Sequence, residues 1–187
     1  MKDANHDSIF NDADKVLKGN PIPLYTYAFN VNLNYKGFDF YALSNGVAKV
    51  DKYLKGYSEG LNAMIGGYGY IKRWEASWTP ENKSTTIPKI YTNNGINNGD
   101  NDYFMSPGSY FRVKTIQLGY SLPQSLIKRA QLSKLRIYVN LENYFQITKY
   151  RGMDPEADGS VGMSSGSNES NTYPLMKTAS IGLNIGF

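Results

Sequence analysis

Between Tyr25 and Tyr35 every odd position is apolar or aromatic (Tyr25, Tyr27, Phe29, Val31, Leu33, Tyr35), and every even position is small or polar (Thr26, Ala28, Asn30, Asn32, Asn34). A period of two puts the two sets on opposite faces of a β-strand, and no helix reproduces it. Such a strand needs an apolar environment on one side and a wet one on the other. Lys36 and Gly37 follow, then a weaker alternation from Phe38 to Ala48, so the first two strands make a tight hairpin.

The pattern recurs three times. Strands are expected over 24–35, 38–48, 110–122, 135–148 and 175–187. In the third, Ile116, Leu118, Tyr120 and Leu122 share a face opposite Thr115, Gln117, Gly119 and Ser121. Pro123 stops it, and a turn of helix is expected over 124–132. The fourth sets Leu135, Ile137, Val139, Leu141, Phe145 and Ile147 against Arg136, Tyr138, Asn140, Glu142, Tyr144 and Gln146. The fifth sets Leu175, Ala179, Ile181, Leu183, Ile185 and Phe187 against Met176, Thr178, Ser180, Gly182, Asn184 and Gly186. A content of 16 Tyr, 8 Phe and 18 Gly in 187 residues also suits strands and turns better than helices.

Alternation fits a soluble sandwich as well as a membrane barrel. Three features favour the barrel. The expected strands run about 11 to 14 residues, beyond the soluble mode of about 5–6 and enough for a tilted crossing of about 9–11. The polar face is wet in character, with Asn30, Asn32, Asn34, Arg136, Asn140, Glu142 and Gln146, as a lumen requires. Connections alternate between long (1–23, 49–109, 149–173) and short (36–37, 123–134), as outer loops and periplasmic turns do. With Phe187 periplasmic, every long loop falls outside. Tyr35, Phe38, Tyr120 and Phe187 then form one aromatic girdle and Tyr25, Tyr27 and Tyr110 the other. The expected fold is therefore all-β, an antiparallel meander of about five long transmembrane strands in a partial outer-membrane β-barrel. The rival is a secreted β-sandwich that binds glycans.

Other classes find little support. With no cysteine there is no disulfide framework, thiolate metal site or cysteine nucleophile. No apolar run approaches the roughly 18 residues of a transmembrane helix. The first residues have no apolar core or small-residue cleavage site, so they are not a signal peptide. The net charge of +4 is scattered; Lys49, Lys52 and Lys55, and Lys128 with Arg129, are its densest points. No recognition module accompanies them, so no nucleic-acid partner is expected. No nucleophile–base or paired-acid constellation points to an enzyme. Asn93 to Asp102 faintly resembles a calcium loop but lacks the regular oxygen spacing and the closing bidentate Glu. His6 stands in a polar tail without a partner cluster. Neither metal nor cofactor is expected.

Several stretches resemble the SusC/RagA family of TonB-dependent transporters. They are Gly19-Asn20-Pro21-Ile22-Pro23 with the hairpin after it, Arg73-Trp74, Trp78-Thr79-Pro80-Glu81-Asn82, and the run from Gly108 through Arg112 to Pro123. Asn143-Tyr144-Phe145, Thr148-Lys149-Tyr150, Asp154-Pro155-Glu156 and the closing Gly182-Leu183-Asn184-Ile185-Gly186-Phe187 continue the series, from about residue 19 to 187. The resemblance implies an outer-membrane importer of the Bacteroidetes type that takes up glycans or peptides. Its implied partners are a SusD-like surface lipoprotein, the barrel-assembly machinery, membrane lipid and the rest of a parent barrel. Family barrels have about 22 strands around an N-terminal plug, and TonB would act only through an N-terminal part missing here. Only the C-terminal part is resembled; the plug is absent. Five strands would leave two edges unpaired in lipid, so the simplest expectation is a truncated or split reading frame with Met1 internal, a fragment that transports nothing alone.

The resemblance places Trp74, Trp78, Tyr57, Tyr68 and Tyr70 in a loop facing substrate and lid. Such rings either stack on sugars or pack the loop against its surroundings. The outward Ile181, Leu183, Ile185 and final Phe187 look like a C-terminal barrel-assembly signal. Arg136 and Glu142, on one strand face, read as lumen electrostatics and not as an acid–base pair.

Overall fold

The structure is a computed structural model and describes residues 5–9, 11–54, 72–84, 86–87, 89, 102–152, 154–156 and 175–187. Its strands are β1 (Tyr25–Tyr35), β2 (Phe38–Ala48), β3 (Asp51–Tyr53), β4 (Met105–Pro107), β5 (Tyr110–Ser121), β6 (Lys134–Thr148) and β7 (Thr178–Gly186). Five of them form one antiparallel sheet in the order β1-β2-β5-β6-β7, while β3 and β4 pair as a separate ribbon between β2 and β5. The sheet is not closed; β1 and β7 are its edges among the described residues. The all-β partial-barrel meander read from the alternation is the observed architecture. No helix among the described residues is long and apolar enough to cross a membrane.

The register lines up the apolar positions in rows across the sheet. Leu33 pairs with Phe40, Phe40 with Leu118, Leu118 with Val139 and Val139 with Ile181. One row nearer the turns stand Tyr35, Phe38, Tyr120, Ile137 and Leu183. Many of these side chains lie open, among them Phe29, Leu33, Leu118, Val139, Phe145, Ile147 and, at 81%, Ile181. A β-sandwich would bury this face under a second sheet. Here a single sheet carries it, which contradicts the sandwich alternative.

Two aligned irregularities shape the loop-side half of the sheet. Between the rows of Leu43 and Asn45, β2 advances two residues, β5 three (Thr115 to Arg112) and β6 four (Glu142 to Gln146). Lys114 is the extra residue of β5; on β6 the extra residue falls at Asn143–Tyr144, where Asn143 has φ 56°. Bulges bend a strand and raise its twist. The single residue added to β5 also switches its faces. Below the bulge Ile116 and Leu118 point outward, whereas above it Phe111 and Val113 do so, and Tyr110 and Arg112 turn to the polar face. Tyr110 is therefore buried inside and is not part of an outer aromatic girdle. Phe111 takes that place, stacking with Tyr27 at 6.4 Å across Gly46, where a side chain would collide with the Tyr27 ring.

The same distortion explains the late start of β7. The ladder with β6 begins at Glu142 opposite Thr178, and not at Leu175 as the alternation suggested. At the left-handed Asn143 the Nδ2 amide donates to the Met176 carbonyl (3.2 Å), and Leu175 N–H donates to Asp154 (3.2 Å), drawing 175–177 out of register.

The opposite end is built from short turns. Lys36 and Gly37 have φ of 46° and 88°, the two positive values that a tight I′ hairpin needs. After Pro123 a single helical turn, α1 (Gln124–Ile127), runs into a 3-10 turn that ends at left-handed Gln131. Ser133 holds the C-terminal stretch: its N–H donates to the Gly186 carbonyl and its hydroxyl to that of Phe187 (2.9 and 3.2 Å).

Candidate functional site

The polar face carries two charged clusters. Near the turns, the Arg136 guanidinium grips both oxygens of Asp39, with Nε at 2.8 Å from Oδ1 and Nη2 on Oδ2. The two residues sit on β6 and β2, and β5 runs between them. What lets them meet is Gly119, whose missing Cβ would lie 2.5 Å from both Arg136 Nη2 and Asp39 Oδ1. The guanidinium also lies 4.7 Å from the Tyr138 ring, and that ring covers Gly182 on β7. One cation thus links four strands. Arg136 does not face Glu142, whose carboxylate accepts from Asn140 instead (2.9 Å).

The second cluster is at the loop end. The bulge turns Arg112 inward, where it is 2% exposed. Its Nη2 meets Asp154 and its Nη1 meets Glu156, each at 2.6 Å, while Nε donates to Gln146 (3.1 Å). Lys114 Nζ reaches the other Glu156 oxygen at 2.6 Å, and Asn45 donates to it as well (3.4 Å). Asp154, 4% exposed, further accepts N–H donors from Glu156 (2.9 Å) and Leu175 (3.2 Å). Two cations against two carboxylates leave the cluster neutral, as burial requires. Beside it opens a cleft of about 360 Å³ that Arg112, Asn143, Tyr144, Gln146, Asp154 and Lys177 help to line.

Burial pushes the Asp154 carboxyl up, but the Glu156 N–H, the Arg112 guanidinium and the Leu175 N–H outweigh it and hold the group below its ordinary value. A folded-state value below the unfolded one means stability that is full above the ordinary value and lost as pH falls through the folded one. In micelles the chain should therefore exceed an Asp154→Asn variant in urea midpoint at neutral pH. The margin should hold down to about pH 4 and shrink below it; a margin that widened in acid would contradict the geometry.

Of the residues suggested by the sequence, Trp78 is half-buried, its backbone N–H donating to the Ile87 carbonyl (3.1 Å) and its ring 5.8 Å from Lys89 Nζ. Trp74 belongs to a short 3-10 turn, Lys72–Ala76, but its side chain lies outside the described residues, as do Tyr57, Tyr68, Tyr70 and the stretch 93–101. Ile181, Leu183 and Ile185 face outward on β7, and Phe187 is 94% exposed. The union of Arg112 with Asp154-Pro155-Glu156 is not visible in the sequence pattern. The available signal was the apolar phase changing from odd (Phe111, Val113) to even (Ile116, Leu118) around Lys114. No group of acidic, histidine or cysteine side chains suited to a metal ion occurs among the described residues.

An unclosed sheet of long strands, apolar and exposed on one face and polar with charge clusters on the other, is a piece of barrel wall. No protein-family profile matches the chain. Its homologues are TonB-dependent receptors. It is 30% identical to TonB-dependent receptor P3 of Formosa agariphila over 188 residues, 94% of this chain and 17% of that receptor. It is 27% identical to TonB-dependent receptor SusC of Bacteroides thetaiotaomicron over 202 residues, covering 99% of this chain and 17% of SusC. Among solved structures it matches a chain of the RagAB peptide importer in the open-open state, with a TM-score of 0.68 and 25% identity over 95% of this chain and 19% of that one. The chain thus spans under a fifth of the length of the proteins it resembles.

Proposed function

We propose that this chain forms part of the barrel wall of a TonB-dependent nutrient importer in the outer membrane of a Bacteroidetes-type bacterium. Its apolar face meets lipid and its polar face lines the lumen. The observation that carries this reading is the row of open aromatic and aliphatic residues running from β1 to β7, opposite a face of Asn, Arg, Asp and Glu. Water would not support so wide an apolar surface on a single sheet, and lipid would. The similarity to SusC and RagAB supports an importer of glycans or peptides that works with a surface lipoprotein and with further barrel strands against β1 and β7. Wall strands hold and orient; the two charge clusters are lumen structure, with no reaction assigned to them.

The test is behaviour with and without detergent. In buffer alone the purified chain should aggregate. In dodecyl-maltoside micelles it should be dispersed, with a strand-rich circular dichroism spectrum. A monomer that unfolds cooperatively in plain buffer would overturn the reading.

A further inference from the structure

The segment that leaves β6 does not run free. Tyr150 N–H donates to the Thr148 hydroxyl (3.0 Å), and the Tyr150 ring lies 5.5 Å from Lys52 Nζ on β3. Arg151 N–H donates to the Ser106 hydroxyl (3.0 Å), and its guanidinium donates to the carbonyls of Tyr103 (2.6 Å) and Met105 (2.9 Å) at β4. Three residues on, Asp154 and Glu156 close on Arg112. The segment crosses from β6 over the β3–β4 ribbon and plugs its two carboxylates into the bulge of β5. Ser106, which accepts the Arg151 N–H, is 1% exposed.

We propose that Tyr150–Gly152 with Asp154–Glu156 is a latch that fastens the β3–β4 ribbon to the wall, with Arg112 as its catch. The ribbon's own pairing is three residue pairs long, too short to hold its place alone. Buried ion pairs contribute little net stability compared with apolar packing, but they fix one geometry and tolerate poorly the loss of a partner. That combination suits a fastener. Closed, it shields Ser106 and seats the ribbon. Open, it leaves the ribbon held by its strand ends and by its own ladder, with one further backbone bond at each end (Leu54 N–H to Phe104 and Gly108 N–H to Val50). The exposed Lys18–Asp102 pair just before β4 also remains, as do the two hydrogen bonds between Asn20 and Asp51, on the edge away from Ser106. The latch is a property of these residues and does not depend on what the barrel carries.

The chain has no cysteine, so a single Ser106→Cys change gives a unique thiol under the latch. In micelles that thiol should react with a maleimide slowly, and at least about tenfold faster when Asp154→Asn and Glu156→Gln are added. A Thr115→Cys reporter in the middle of β5 should keep its rate in both backgrounds. Equal rates at position 106 with and without the two changes, or fast labelling there in the otherwise unaltered chain, would overturn the latch. If both reporters speed up, the sheet itself has loosened. Glu156→Gln alone, which keeps the Asp154–Arg112 pair, then decides: faster labelling confined to the thiol at position 106 supports the latch, and anything else overturns it.

Discussion

Replacing Gly119 with valine is expected to lower the stability of the micelle-folded chain by about 3 kcal/mol, read as a fall in urea midpoint. A Cβ at this position would sit 2.5 Å from the Arg136 guanidinium and 2.5 Å from the Asp39 carboxylate, so the bidentate pair cannot keep its place. Valine is a good strand former, and on propensity alone the change should help. The sign of the result therefore separates the two effects. The pair is partly open, with side-chain exposures of 14% and 26%, which keeps the expected loss at the lower end of the range for breaking a buried pair. Asp39→Asn with Arg136→Gln should make the valine far less harmful, because the desolvated charges it displaces would be gone. A Gly119→Val variant as stable as the parent would mean that β5 does not run beneath the pair.

This position also shows where the sequence was legible and where it was not. Gly119 stands on the polar side of an alternating run, and alternation alone says only that the position is inward. Its partners are 97 residues apart, on strands that touch β5 from opposite sides. The sequence instead puts Arg136 and Glu142 on one strand face, but six residues of strand separate them by about 20 Å, and the structure pairs neither with the other. Local periodicity carried the regular parts of the fold: β1, β2 and the lower halves of β5 and β6 keep strict phase, and the Lys36-Gly37 turn fixes the register of the first hairpin. It failed at the bulges. Lys114 shifts the phase of β5, so Tyr110 was read as outward, whereas β6 gains two residues over β2 and keeps its odd positions outward. There the bulge ends the ladder with the last strand at Thr178, which a periodicity running on from Leu175 does not show. The candidate loop was beyond reach for a different reason. An aromatic-rich stretch without period carries no positional information, so Trp78 could be named as a contact candidate but not placed.

The largest loss expected from a single side chain follows Arg112→Met. Methionine fills much of the same volume, so the change tests charge more than packing. It leaves Asp154, 4% exposed, and Glu156 in their places with only Lys114 to balance them. Removing one partner of a buried pair costs about 3–5 kcal/mol, because the remaining charge stays desolvated. The exposed Lys18–Asp102 pair, at the same kind of contact distance (2.5 Å) but with side chains 59% and 64% open, provides the contrast. Lys18→Met should cost no more than about 1 kcal/mol. Distance alone would rank the two equal; burial separates them. Adding Asp154→Leu and Glu156→Gln to Arg112→Met should recover most of the stability, since it removes every charge of the cluster but Lys114, whose side chain is 26% exposed and can turn to solvent, and uncharged replacement of a buried pair is close to neutral. It should not restore slow labelling of the Ser106→Cys thiol, because the latch would have lost its catch while the sheet kept its strength. That split, stability returned and protection not returned, is what a fastener predicts and a simple stabilising ion pair does not.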